Sequence, residues 1–542
     1  MMDQEGLYDN NKRKMNFRKA SVVLSTLIFT IETQLVLEAQ PVATGIYPVS
    51  MYGAAGIKDS ICTAAIQKTI DHCALAGGGT VYFAPGGYTS GQLYLKSNVN
   101  IYIDAGATVY ASRNPDHFLK PRVKYEADDQ IHSPNETCLF YGDHVSNVSL
   151  LGKGTLDGQA AHTWEDLKKV DAFIDRETAI AKAAGILMKQ FYVKEPKVRM
   201  VFINNARNID IRGITVQNSP DWSVHLGNGD GIVIDGVTIL SSLEKGVNSD
   251  GIDIDGCSNV RVSNCYISTG DDAICLKSTL RKGQFSDCRN IVVNNCTLAS
   301  SSSALKIGTE SHGNFKDIIF SNCVINSNRG INIVVRDGAT VENVLFTDLV
   351  MTCTRRHFNW WGDGDPIRMV VLKRTPQSRL GQIRNVTIRN VIARGAGTSS
   401  LMGFEERPLE NIVLENIDIT MEAEALPDRR ATDIMNIDRI KGLRMQNIKL
   451  TWDTLKGILP AWGCALRVQQ AADIHLNQFT FPYGLPGKTL ISLKQVKSGR
   501  IAEVNAWESE ASRLIDSTEV KHLLVEAIIT KENFKPTKRS KQ

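Results

Sequence analysis

Three aspartates in two short motifs have the residue types and spacing best suited to catalysis in this sequence. Asp250 ends an Asn-Ser-Asp motif, and Asp271 and Asp272 stand side by side after Gly270. If this part of the chain repeats as a coil, Asp250 precedes the pair by about one coil and the three carboxylates meet. Cleavage of a glycosidic bond requires paired carboxylates, one as general acid and one as base or nucleophile. Adjacent like charges should raise one pKa toward the value of a general acid, although structural aspartates of turns are the alternative.

An imperfect repeat from Asn208 onward must position these motifs. Each copy is a short alternating strand, then Gly, Asn or Asp, then another apolar pair, at intervals within the range of about 20–50 residues that is typical of solenoids. The turn residues of the copies are Gly213, Gly236, Asn264, Asn295, Asn322, Asp348, Asn390, Asn416 and Asn447. Short strands joined by irregular turns predict a parallel β-helix, in which each coil contacts only its neighbours. A β-propeller would show more even spacing, near about 40–50 residues.

The repeated asparagine predicts a ladder within this solenoid. Asn264, Asn295 and Asn322 are expected in register inside one turn column, with each buried amide bonding to the turns above and below. A cysteine directly follows each of them, which favours small buried thiols stacked in the core over disulfides. The eleven cysteines are an odd number, so at least one is unpaired, and they lack the Cys-x-x-Cys spacing of metal sites. We expect neither a metal nor a cofactor.

Several elements outside the repeat are also readable. A helix from Cys62 to Ala76, ended by three glycines, should cap the solenoid, and Glu165 to Pro196 is predicted to be a helical insertion. Four early strands are predicted at Thr80–Phe83, Gln92–Leu95, Val99–Ile103 and Thr108–Tyr110. A second insertion, Thr352 to Gln382, is predicted to be a long loop in which Trp360 and Trp361 stack on sugar rings.

Alternation within the strands decides which side chains leave the core. Ile252 and Ile254 face inward after Asp250, so Asp253 and Asp255 face outward. The same reasoning predicts that further side chains face outward. They are those of Cys275, Lys277, Lys306, Asn332, Val334 and Arg336. Stacked about 5 Å apart in successive coils, they form a face that mixes carboxylates with cations. We interpret it as a binding cleft, with a solvated, salt-bridged surface as the alternative.

Composition and the N-terminus bear on partners and location. With 62 basic and 58 acidic residues the net charge is +4, too slight to indicate a nucleic-acid partner. Basic residues 12–19 precede the apolar run Ala20 to Ile31, which is too short to span a bilayer and is typical of a signal peptide. Met15 could be the true start, and cleavage near Ala39 is plausible. We therefore expect an exported monomer, located in the periplasm, outside the cell or on its surface, without a membrane span in the mature protein.

The expected organisation has three parts. Residues 1–40 are an N-terminal extension with the signal peptide, 41–535 are a single parallel β-helix catalytic domain, and 536–542 are a basic tail.

Several motifs together resemble glycoside hydrolase family 28, the polygalacturonases and rhamnogalacturonan hydrolases. They are AsnSerAspGlyIleAsp at 248–253, GlyAspAspAla at 270–273, GlyGlyGlyThrValTyrPheAlaProGlyGlyTyr at 77–88, LysSerAsnVal at 96–99 and GlyThrLeuAspGly at 154–158. The resemblance implies an all-β, right-handed parallel β-helix enzyme that hydrolyses acidic pectic polysaccharides of the plant cell wall with inversion. It also implies that Asp271 is the general acid and that Asp250 and Asp272 hold and activate the water.

The sequence departs from this family where the substrate is gripped. Ser302-Ser303-Ala304 stands where polygalacturonases have Gly-His-Gly, and Asn332-Ile333-Val334 stands where they have the Arg-Ile-Lys that holds a galacturonate carboxylate. We therefore expect a neutral or differently oriented sugar there, such as the rhamnose of a rhamnogalacturonan. The candidate substrate-binding residues are Asn248, Asp253, Lys277, Lys306, His312, Arg336, His225, Trp360 and Trp361.

Two other function classes fit parts of the pattern. A polysaccharide lyase shares the β-helix and uses Ca²⁺ with a basic residue as the base, a role open to the outward lysines. A non-catalytic carbohydrate-binding solenoid would need no carboxylate pair.

Overall fold

A computed structural model describes residues 45–119, 137–166, 179, 182–183, 191–281, 283–355, 362–424, 431–482, 484–506, 509–511 and 513–530. All of them belong to one compact unit, Gly45–Gln542. The predicted signal peptide, the basic tail, Trp360 and Trp361 lie outside the described residues. Across the described part of the chain, no helix is long and apolar enough to cross a membrane.

Short parallel strands make up most of the structure. Strands β1 to β11 are Ile46–Pro48, Gly79–Phe83, Gly86–Ser90, Leu93–Tyr94, Val99–Ile103, Ala107–Ala111, Cys138–Asp143, Ser146–Gly152, Thr155–Asp157, Trp164–Asp166 and Phe191–Val193. Strands β12 to β23 are Arg199–Asn204, Arg207–Arg212, Thr215–Gln217, Val224–Gly227, Asp230–Asp235, Thr238–Leu240, Ile252–Asp255, Ser258–Ser263, Tyr266–Thr269, Ile274–Ser278, Cys288–Asn294 and Thr297–Ser311. Strands β24 to β35 are Phe315–Val335, Thr340–Cys353, Ile367–Val371, Gln382–Gly395, Ser399–Met402, Leu409–Glu422, Met435–Asp453, Cys464–Thr480, Thr489–Val496, Gly499–Asn505, Arg513–Thr518 and Leu523–Ile529.

The strands stack coil upon coil as a parallel β-helix, as the repeat predicted. β15, β18 and β21 pair in parallel on one face, β16, β19 and β22 on a second, and β17, β20 and β23 on a third. Ile252, Ile274 and Leu305 are in register on the first face and fully buried. Rows of this kind fill the interior and stabilise each coil against its neighbours.

Left-handed backbone at the corners explains the repeated Gly, Asn and Asp. All nine turn residues of the repeat have positive φ, from 53° at Asn322 to 72° at Gly213. Asparagine, aspartate and glycine adopt this conformation at the least cost. The repeat that the sequence shows is therefore a repeat of corners.

The three asparagines of the predicted ladder are in register and one bond between them is present, but the expectation that they are buried is wrong. Asn264, Asn295 and Asn322 occupy equivalent corners, and Asn295 Nδ2 donates to Asn264 Oδ1 at 3.4 Å. All three side chains are exposed, because the left-handed corner turns them toward solvent. The following cysteines, Cys265, Cys296 and Cys323, are buried free thiols, as predicted.

One helix caps the first coils and one ribbon interrupts them. The helix α1, Thr63–Leu75, buries Ile66, Ile70 and Cys73, and three short 3₁₀ helices are Val49–Tyr52, Pro115–His117 and Ala160–His162. In the predicted helical insertion, β10 and β11 pair as an antiparallel ribbon, and residues 179, 182 and 183 are helical. The predicted loop 352–382 contains β26, which takes its place in the stack.

Candidate active site

Three stacked turns bring the predicted aspartates together. Asp250 lies just before β18, and Asp271 and Asp272 lie just before β21. The amide of Gly251 donates to the carbonyl of Asp272 at 2.8 Å, and the amide of Ala273 donates to the carbonyl of Ser303 at 2.9 Å. The turns therefore form three successive rungs of one column.

The three carboxylates share a single small space at the start of these strands. One oxygen of each lies within 4.8 Å of one oxygen of the others. Asp271 keeps 7% of its surface exposed, against 2% for Asp250 and 1% for Asp272. Asp271 is thus the carboxylate nearest to solvent, and the other two lie deeper. Such a cluster could hold a cation, but the ammonium groups of Lys277 and Lys306 already offset part of its charge.

Close packing fixes the turn that carries Asp271. A Cβ on Gly270 would lie 2.4 Å from the carbonyl oxygen of Gly246 and 2.5 Å from that of Ser242, so only glycine fits. The carbonyl of Asp271 accepts hydrogen bonds from the hydroxyls of Thr269 at 2.9 Å and Ser300 at 2.7 Å. These contacts hold the backbone of the turn, and the carboxylate is oriented by the amide of Asp272, which donates to Asp271 Oδ1 at 2.9 Å.

Positive and hydrogen-bonding partners surround Asp272. Lys306 Nζ contacts its Oδ2, and its Oδ1 accepts from Ser302 Oγ at 2.9 Å and from the amide of Ser303 at 3.1 Å. Burial alone would raise the pKa of Asp272, but Lys306, Lys277 and Ser302 outweigh it and leave the pKa below its ordinary value. Asp272 is therefore ionised at neutral pH.

The adjacent Asp271 behaves in the opposite way. Burial, reinforced by the negative charge of Asp272, raises the pKa of Asp271 to about 6. Two neighbouring carboxyls thus titrate in separate ranges, as expected when like charges share a site and only one has a close cation.

A buried lysine ties Asp250 to two further acids. Lys277 Nζ lies 3.5 Å from Asp250 Oδ2, 3.4 Å from Asp253 Oδ1 and 3.4 Å from Glu310 Oε2, and 4.3 Å from the centre of the Trp222 ring. One ammonium cannot neutralise three carboxylates. Burial and the charge of Asp253 raise the pKa of Asp250, and burial raises the pKa of Asp253 to about 7. Asp250 Oδ1 makes no hydrogen bond within the described structure.

His225 is buried and contacts protein groups instead of a ligand. It is fully buried, stacked on Phe202 with ring centres 4.5 Å apart. Its Nδ1 lies 2.8 Å from Arg199 Nη1, and its Nε2 lies 3.2 Å from Asp255 Oδ2 and 2.8 Å from Arg281 Nη2. Burial and these arginines lower its pKa, so the ring is neutral. The expectation that it binds substrate is corrected, because both ring nitrogens are occupied.

The expectation that Asp253 and Lys277 bind substrate is corrected as well, because both are buried. Asp253 is fully buried, and 4% of the Lys277 side chain is exposed. Alternation turned both out of the apolar core, but they remain buried, and Lys277 is in contact with Trp222 and Glu310. They bind one another, and they hold Asp250 in place.

The remaining predicted residues lie around the cleft in looser environments. Lys306 has 13% of its side chain exposed. Asn248 Oδ1 accepts from Lys197 Nζ at 3.5 Å. Arg336 is half-buried, and its Nε has no hydrogen-bond partner among the described residues. His312 is likewise half-buried, and burial lowers its pKa.

A hydrogen-bonded row beside Asp272 contains residues that sequence reasoning missed. Asn332 Nδ2 donates to Ser303 Oγ at 3.0 Å, and Arg368 Nη1 donates to Asn332 Oδ1 at 3.4 Å. Arg368 was missed because its strand was taken for a loop. Glu310 was missed because it lies within the shift in register between β21 and β23, from Ile307 to Ser311, and strand alternation does not continue across such a shift.

Comparison with known proteins gives consistent relatives. A sequence model of the family described as Glycosyl hydrolases family 28 matches residues 82–428, more than half of the chain. A probable polygalacturonase of Vitis vinifera is 25% identical, over 69% of this chain and 74% of the relative. An endo-polygalacturonase of Pectobacterium carotovorum subsp. carotovorum is 25% identical, over 67% of this chain and 85% of the relative.

Solved structures agree on the fold. The crystal structure of a hyperthermoactive exopolygalacturonase from Thermotoga maritima matches with a TM-score of 0.56 and 20% identity. The match covers 74% of this chain and 91% of that chain.

Proposed function

The chain belongs to glycosyl hydrolase family 28 as a polygalacturonase-type glycoside hydrolase of pectin, and from this premise we propose how its cleft cleaves the backbone. The observation that carries the proposal is a cluster of three carboxyls in which only Asp272 contacts Lys306, so that its pKa is lowered while the pKa of Asp271 is raised. A hydrolase needs one protonated and one ionised carboxyl at the scissile bond.

Asp271 is the general acid in this proposal. It is the most exposed of the three, and its raised pKa of about 6 keeps it protonated in mildly acidic solution. A proton at this position can pass to the glycosidic oxygen as the bond to the leaving sugar breaks.

Asp272 is the base, and Asp250 holds the water. Asp272 is ionised because Lys306 and Ser302 stabilise its charge. Asp250 has a raised pKa and a free buried oxygen, Oδ1, which suits it to orient a water molecule more than to deprotonate it. Asp272 takes one proton from this water, and the oxygen attacks the anomeric carbon.

We propose inversion at the anomeric carbon, as the family resemblance implies. Inverting enzymes usually separate their carboxyl groups by about 6.5–9.5 Å, and retaining enzymes by about 5–5.5 Å. The 4.8 Å limit found here joins nearest oxygens and therefore understates the separation of the carboxyl centres. Proton NMR of the first-formed product tests this by showing its anomeric configuration. Inversion would support direct attack by water, and retention would indicate a covalent intermediate on one aspartate.

For specificity, we propose a preference for rhamnogalacturonan or a decorated uronan. The supporting observation is Asn332, whose amide and carbonyl are both satisfied by Ser303 and Arg368, so that this rung presents no free charge to a sugar. Val334, two residues on, is apolar and buried, so it adds no charge there either. Compared kcat/KM values on rhamnogalacturonan and unbranched polygalacturonan test this, and strong preference for the latter would contradict it.

Product analysis separates hydrolysis from the other function classes. A lyase would release unsaturated products that absorb ultraviolet light, and a binding protein would release no reducing ends. We expect reducing ends without ultraviolet absorbance.

We also propose that the protein is exported, because basic residues 12–19 and the apolar run Ala20 to Ile31 have the form of a signal peptide. Cell fractionation tests this, and full-length protein confined to the cytoplasm would contradict it.

A further inference from the structure

Two arginines on the face of the cleft take part in no ion pair among the described residues. Lys277, Lys306 and Arg329 are each held by protein carboxylates. Arg336 and Arg368 have no carboxylate within ion-pair distance among the residues that the structure describes. A half-buried cation without an ion-pair partner is unfavourable in isolation, so each of these arginines is suited to bind an anionic ligand.

Of the two, Arg368 is linked to the aspartate cluster through a chain of polar contacts. Lys306, Asn332 and Arg368 occupy the same position on β23, β24 and β26, so Arg368 follows Lys306 by two strand spacings, about 10 Å. Polar contacts connect them: Arg368 Nη1 to Asn332 Oδ1 at 3.4 Å, Asn332 Nδ2 to Ser303 Oγ at 3.0 Å, and the Ser303 amide to Asp272 Oδ1 at 3.1 Å.

The electrostatic surroundings of Arg368 favour an anionic ligand. Burial and the neighbouring charge of Arg329 lower the pKa of Arg368 to about 10, although Asp365 and Asp363 act in the opposite direction. The 3.4 Å contact with Asn332 leaves most of the five guanidinium donors available. A planar carboxylate matches those donors in two parallel hydrogen bonds.

Arg336 is a poorer candidate, although its position on the outward face suggested it first. Like Arg368, it lies near two acids that offset part of its charge, here Glu310 and Asp337. Its position decides against it, because it follows Asn332 by four residues, just after β24 ends, on the side away from Asp272.

We propose that Arg368 binds the carboxylate of an acidic sugar that adjoins the neutral sugar at Asn332. This deepens, and rests on, the proposed preference for a backbone in which a uronate alternates with a neutral sugar. Recognition of the uronate would then lie one coil beyond the rung at which the family's arginine is replaced by Asn332.

A binding experiment tests Arg368 directly. The background is Asp271→Asn, which leaves the ligand uncut, and the probes are rhamnogalacturonan oligosaccharides with free and with methyl-esterified carboxylates. Calorimetry should show the free acids binding roughly 10- to 100-fold more tightly, the worth of a charge-assisted contact. Adding Arg368→Gln should bring this ratio close to one. Arg368→Lys should leave part of it, because the charge remains and the paired donors do not.

Matched variants make the outcome decisive. Arg336→Gln, and Arg394→Gln at an exposed ion pair with Glu422, should both keep the ratio. The proposal would be overturned if Arg368→Gln left the ratio of free-acid to esterified binding unchanged, or if Arg336→Gln abolished it instead. It would also be overturned if Asp271→Asn alone showed no preference for the free acids. Release of reducing ends by the wild type tests the proposed function separately, since an enzyme could cut the polymer and still show no role for Arg368.

Discussion

Replacing Lys306 with methionine should move the pH profile of the enzyme upward. Lys306 contacts Asp272 and has 13% of its side chain exposed, so its charge is poorly screened by water. A close cation usually depresses an aspartate pKa by about 1–3 units, and its removal should raise the pKa of Asp272 by that amount. The acidic limb of kcat/KM, where the base is protonated, should move up equally. Lys306 also lowers the pKa of Asp271, so the alkaline limb should rise as well, but by less.

Stability gives a second measure of the same change. In the wild type the depressed pKa of Asp272 contributes stability that is present above the pKa of an unfolded aspartate and lost as the pH falls. In Lys306→Met the buried carboxylate loses its contacting cation and keeps only the more distant Lys277, and leaving it ionised costs up to roughly 3–5 kcal/mol. The gap in Tm between the two proteins should therefore widen as the pH rises from acidic to neutral.

The assay is reducing-sugar release across the acidic and neutral range, with thermal denaturation at the same pH values. Lys449→Met is the control, because Lys449 pairs with Asp418 at an exposed site and should leave both limbs unmoved. A folded Lys306→Met enzyme with an unshifted acidic limb would refute the assignment of Asp272 as the base.

Three further predictions follow from the same structure. In the wild type, kcat/KM should fall as the pH rises through about 6, where Asp271 loses its proton, and a profile flat through that region would count against this residue as the acid. Gly270→Ala should cost about 100-fold in turnover, because its Cβ would collide with the carbonyl of Gly246 and displace the turn; normal turnover would show that the turn is not critical. Asn295→Ala should destabilise the protein by about 1 kcal/mol and Asn295→Gly by less, because the φ of 55° and not the exposed amide bond makes the larger contribution; equal losses in chemical denaturation would favour the ladder instead.

The fold was predictable because its repeat consists of residue types with a specific backbone role. Asparagine, aspartate and glycine recur where the chain needs a left-handed corner, and apolar residues alternate between the corners. The meeting of Asp250 with Asp271 and Asp272 follows from the length of one coil. The exposure of Asn295 was not predictable in the same way, since a ladder of amides can form inside or outside a corner.

The lining of the cleft was harder to predict because it depends on contacts between distant turns. Alternation placed Asp253 and Lys277 outside the core, but it carries no information on what packs above them. Glu310 lies at a shift in register. Arg368 lies on a strand within a segment that lacks the repeat pattern. These residues become visible only when the coils are stacked.

The most direct test of the account is the turnover of Asp271→Asn. This substitution keeps the shape of the side chain and removes the proton, so kcat on the preferred pectic backbone should fall by about 10²- to 10⁴-fold while substrate binding changes little. Near-normal turnover of the folded variant would contradict the central claim that Asp271 donates a proton to the leaving sugar.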